Sequence, residues 1–90
     1  MAMYRYYAQI KLTDEGNYIV TFPDVEGCFT QGSTMQEAVE MAEDALGEMM
    51  VEYEDEGNIP AHTAPESFKL VDGMSMVLIT TDTDNFKEAV

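Results

Sequence analysis

Positive charge is what this sequence has least of. Four Lys and Arg stand against eighteen Asp and Glu in 90 residues, a formal net charge of −14. Nucleic-acid binding through this segment is therefore not expected, because phosphate contacts need clustered cations and this field repels them. An anionic membrane surface is excluded on the same ground, and no apolar run approaches the length of a membrane span. Cysteine is almost missing too. Cys28 stands alone, so no intrachain disulfide can form, which rules out a secreted, disulfide-stapled scaffold. Met1-Ala2-Met3-Tyr4-Arg5 lacks a basic-then-apolar leader pattern, and a cytoplasmic location is the expectation.

What is present fits one small folded domain. Hydrophobic residues make up 46% of the chain, well above the level of a disordered one. A chain of this length buries only about 60–65% of its unfolded surface, so its core must be economical. Eight methionines supply adaptable filler.

The first segment alternates. Tyr4, Tyr6, Ala8, Ile10 and Leu12 fall on one side, with Arg5, Tyr7, Gln9 and Lys11 on the other, the period of a half-buried strand. Asp14-Glu15-Gly16-Asn17 reads as a turn, and Tyr18–Phe22 as the returning strand of a hairpin. Pro23-Asp24 stops it, and Cys28–Gln31 suits a short third strand with an open edge, where a second copy could pair. Thr34-x-x-Glu37 is a capping box. The period then changes to about 3.6, and Met35, Ala38, Val39, Ala42, Ala45, Leu46, Met49, Met50 and Tyr53 mark the broad apolar stripe of a long helix ending near Glu56, with Gly57 as its stop.

Residues 57–66 read as a proline-containing loop, and Ser67–Val71 as briefly extended. Met74–Thr81 is an apolar run suited to a strand buried on both faces, expected to pair parallel with the first strand after the helical crossover. Thr83 or Asp84 is expected to cap a short helix through Asn85–Ala89. The predicted fold is α+β, with order β-β-β-α-β: a mixed four-stranded sheet, strand order 3-2-1-4, and one long helix packed on one face. Residues 1–82 form the expected domain, and residues 83–90 begin a linker or short helix.

Few residues carry chemistry. His62 has no nearby His or Cys, so a loop histidine accounts for it better than a ligand. Cys28 lacks a base to make thiolate and reads as packing. No glycine-rich phosphate loop exists. The acids are another matter. Between residues 34 and 56 nine acids (Glu37, Glu40, Glu43, Asp44, Glu48, Glu52, Glu54, Asp55 and Glu56) occur with no base. Like charges four apart oppose helix formation, as does an acidic last turn. A solubilising face and a docking surface for a cationic partner both account for them. A flat helical row offers no oxygen cage, which makes a metal site the weaker reading.

A resemblance sharpens these choices. Asp14-Glu15-Gly16-Asn17-Tyr18, Phe22-Pro23-Asp24-Val25-Glu26-Gly27-Cys28, Thr30-Gln31-Gly32-Ser33-Thr34, then Glu37-Ala38 and Ala45-Leu46, resemble in order the N-terminal domain of the HicB antitoxin family over roughly residues 4–56. Asn17, Glu26, Ser33 and Met41 depart from the family pattern of glycine, proline, aspartate and asparagine. The resemblance implies a partial ribonuclease-H-like fold. It also implies a type II toxin–antitoxin role, with a basic HicA-like mRNA-cleaving toxin as the partner that is bound and masked. Family members continue into an operator-binding segment, so DNA contact is expected only through a C-terminal region missing from this segment.

The expected partner-binding residues are Asp24, Glu26, Glu40, Asp44 and Glu48, with no cofactor, metal or catalytic residue, and with homo-oligomers. Two other readings stay in view: a residual metal-dependent nuclease of the ribonuclease-H-like kind, and an orphan regulatory binding module. The first needs carboxylates converging from several elements, and Tyr4–Leu12 holds none.

Overall fold

The computed structural model describes residues 3–68 and 73–86. The alternating segment forms strand β1 (Met3–Leu12), followed by β2 (Tyr18–Thr21) and β3 (Phe29–Gly32). Helix α1 (Met35–Glu56) and strand β4 (Met74–Asp82) complete the layout. The sheet order is β3-β2-β1-β4, as expected, and α1 lies on one face only.

The capping chemistry works as the sequence indicates. Thr34 is the N-cap, its hydroxyl accepting from Glu37 N at 3.0 Å, while Glu37 Oε1 accepts from Ser33 N at 2.9 Å. At the other end Gly57 takes φ 69°. Its N–H donates to Glu54 O, and Asn58 N donates to Tyr53 O, which closes two carbonyls of the last turn. Tyr6, Ile10, Val20 and Ile79 from the sheet meet Ala38, Ala42, Leu46 and Met50 from the helix to make the core. Each large side chain so buried contributes about 1.5–3 kcal/mol before entropy is subtracted. Gly32 permits the close approach of β3 and α1, since a Cβ there would stand 2.5 Å from Ala38 N.

Three expectations need correction. The sheet is entirely antiparallel rather than mixed, because β4 pairs antiparallel with β1 from Lys11↔Met74 to Met3↔Asp82. The helix ends beside the start of β1, where Tyr4 Oη donates to Glu54 at 2.7 Å. A strand starting there would run parallel, but residues 57–68 run beside Tyr6 and Tyr7, and β4 begins opposite Lys11, at the far end of β1. Treating the helix as the whole crossover overlooked this second passage. Nor is β4, at the sheet edge, buried on both faces as expected: it is covered on one face only. Ile79 and Thr81 are buried while Leu78 is 47% exposed.

The cap after β4 is Asp82 rather than Thr83 or Asp84. Its carboxylate accepts from Asp84 N, and the turn it starts is a short 3-10 segment, Thr83–Asn85. The rest of the expected helix, to Ala89, lies outside the described residues, as does most of the extended segment expected at Ser67–Val71. Ser67 itself closes a 3-10 turn, Pro65–Ser67.

Candidate functional site: an acidic helix ridge

The periodicity of α1 decides where its acids point. Ala38, Ala42, Leu46 and Met50 face the sheet, so Glu40, Asp44 and Glu48, each offset from that stripe, line the opposite side as one exposed ridge. Gln36 Nε2 donates to Glu40 at 3.3 Å, and no base opposes the ridge from within the helix. Toward β3 the ridge meets a shallow groove with Cys28, Ala45 and Met49 on its floor and Glu48 and Glu52 on its rim. Glu26 is exposed near the same groove, tied to α1 where its carbonyl accepts from Tyr53 Oη at 3.3 Å. The fold thus brings Glu26 and Glu48 to one apolar-floored, acid-rimmed surface. Phe29, at the groove end, is 70% exposed.

Asp24 plays a different part. It is half-buried, and its two carboxylate oxygens accept from Thr63 N at 2.8 Å and Thr63 Oγ1 at 2.5 Å, so it holds the loop after α1. His62, one residue earlier, stacks on Tyr6 with ring centroids 4.2 Å apart, and its Nε2 meets Arg5 O at 2.9 Å. Tyr6 Oη donates to Pro60 O at 2.6 Å. Loop and strand therefore lock together where β2 stops short of covering β1. Burial, with help from the Asp24 carboxylate, raises the Tyr6 phenol above its ordinary value.

Glu54 also leaves the surface set. It accepts from Tyr4 Oη and from Thr83 Oγ1 at 3.0 Å, and the Tyr4 phenol is raised first by that hydrogen bond. The signal was in the spacing, because Leu46, Met50 and Glu54 continue the inward stripe at intervals of four. Cys28 is buried, and burial pushes its thiol up to about 11, away from any nucleophilic role at neutral pH. Among the described residues no three His, Cys, Asp or Glu side chains are grouped to hold a metal ion, and no helix is long and apolar enough to cross a membrane.

A four-stranded antiparallel sheet with helix α1 on one face and an exposed acid ridge along that helix defines the described residues as an α+β domain. Known proteins share the architecture. A toxin–antitoxin complex from Streptococcus pneumoniae contains a chain that matches 98% of this one, with 75% of its own length covered, TM-score 0.86 and 20% identity. The N-terminal domain of Burkholderia pseudomallei antitoxin HicB matches 88% of this chain and 99% of its own, TM-score 0.68 and 19% identity. At those identities the likeness shows the fold. A chain of a HicA3 and HicB3 toxin–antitoxin complex matches 88% of this chain and 99% of its own, TM-score 0.64 and 25% identity.

Residues 6–89 match the family described as the HicB-like antitoxin of bacterial toxin–antitoxin systems, and the chain belongs to that family. Antitoxin HicB 1 of Photorhabdus laumondii subsp. laumondii is 50% identical over 42 residues, 47% of this chain. The chain spans about a quarter of that relative's length, 27% of it.

Proposed function

We propose that this domain is the toxin-neutralising part of an antitoxin, binding a basic HicA-like mRNA-cleaving protein and masking its RNA surface. The observation that carries the reading is the exposed ridge of Glu40, Asp44 and Glu48, which has no base in its helix and adjoins a groove of mixed polarity lined by Cys28, Ala45, Met49 and Glu52. Such a surface competes with RNA for a cationic face, and its field speeds encounter. Family membership supports the same partner class, and the 25%-identical relative was solved in complex with its toxin.

The chemistry belongs to the partner, and this chain acts as charge and shape without being an enzyme. The site of action is the cytoplasm. The test is titration of the cognate toxin with the 90-residue chain. Reversing Glu26, Glu40, Asp44 and Glu48 together should weaken binding by at least about a hundredfold at low salt, and less at high salt. Asp24→Asn separates loop anchoring from direct contact. Unchanged affinity after the fourfold reversal overturns the ridge assignment, and absence of binding by the native chain overturns the reading itself.

A further inference from the structure

We propose that the free edge of β4 is a self-pairing seam, where a second copy of this chain adds its own β4 antiparallel to make one continuous sheet. The direction of the backbone groups follows from one bond. Leu12 N donates to Gly73 O at 3.1 Å directly across the ladder, so Leu12 and Gly73 are a hydrogen-bonded pair. Alternation then turns the N–H and C=O of Ser75, Val77, Ile79 and Thr81 toward β1, and those of Met74, Met76, Leu78 and Thr80 outward. Arg5, opposite Thr80, checks the parity independently. Its carbonyl faces away from β4, where His62 takes it.

Edge strands are ordinarily blunted by charge, proline, a bulge or shortness. From Met74 to Thr81 there is no charged residue and no proline, and the register to β1 runs unbroken. No described residue pairs with the outer edge. The other edge, β3, is only four residues long and turns the backbone groups of Phe29 and Gln31 outward, which makes it the lesser seam.

The proposed occupant is a second copy, which the absence of charge along β4 permits. Two chains of −14 repel wherever acids meet, and the uncharged β4 is a place where they can close. A two-fold register centred on Leu78 pairs Met76 with Thr80, and Met74 with Asp82, of the other copy. Lys11, which flanks Met74 across β1, then lies toward the second copy's Asp82, so the acidic end of each strand approaches the base-flanked end of the other.

The test uses the 90-residue chain without toxin, so its outcome is separate from that of the antitoxin reading. Light scattering should return a two-chain mass for the native protein and a one-chain mass for folded Leu78→Lys. That substitution lowers the whole-chain repulsion but sets two lysines opposite each other at the centre of the seam, so dissociation points to the seam rather than to overall charge. A one-chain mass for the native protein overturns the proposal, as does a two-chain mass that persists in folded Leu78→Lys. Should the variant fail to fold, amide exchange on the native chain decides. The Met76, Leu78 and Thr80 amides should slow by about tenfold or more from dilute to concentrated solution. Concentration-independent exchange there overturns the seam.

Discussion

Gly47 shows how much one side chain can decide. It is buried on the helix flank, and an added Cβ would collide with the Phe86 ring that closes over it after β4. Glycine inside a helix costs about 1 kcal/mol relative to alanine, so the position keeps a local penalty to admit that ring. The two effects have opposite signs and can be separated. Gly47→Ala alone should destabilise by about 1–3 kcal/mol through overpacking. In a Phe86→Ala background the same change should be neutral or stabilising by up to about 1 kcal/mol. Urea denaturation of the four proteins reads the coupling, and additivity would show that Phe86 does not seat on Gly47.

The sequence exposed its elements at the places where local chemistry is decisive. β1 was legible from its strict alternation, α1 from Thr34, Glu37 and Gly57, and the strand order from short connections between successive strands. The direction of β4 was not, because it depends on where the residues after Glu56, from Gly57 to Phe68, lie. That path is set by contacts remote in sequence: His62 on Tyr6, Pro60 O on the Tyr6 hydroxyl, and Thr63 on Asp24. The acid ridge was readable from helical spacing, whereas the hydrogen bonds of Asp24 with Thr63 and of Glu54 with Tyr4 and Thr83 depend on partners distant in sequence. Thr34→Ala tests the element most firmly read. It should cost about 1 kcal/mol, seen as a lower urea midpoint with an unaltered slope. An unchanged midpoint would mean that the capping box contributes nothing.

At the scale of the whole molecule, three raised pKa values point one way. Tyr4, Tyr6 and Cys28 all hold their protons more tightly folded than unfolded. The sign follows. Below the unfolded values of 9.0 for the thiol and 10.0 for the phenols both states are protonated and stability is complete. Above them the unfolded chain ionises first, so stability falls as pH rises from 9.0 toward the folded thiol value of about 11 and beyond 10.0 for the tyrosines. Growing negative charge on an already acidic chain adds to the loss. Thermal melts across this window should show Tm dropping well before pH 11, and a flat Tm would contradict the buried environments described.

Because helix α1 covers one side of the sheet, the two proposed contact surfaces do not overlap. The ridge looks outward from the helix, and the strand edge lies at the rim of the layer beneath it. Joining two copies along that rim would leave both ridges open and hold them at a fixed spacing. Such an assembly would engage its target with a stoichiometry of two to two. Where the targets were themselves linked, release of one would leave the other holding the pair together.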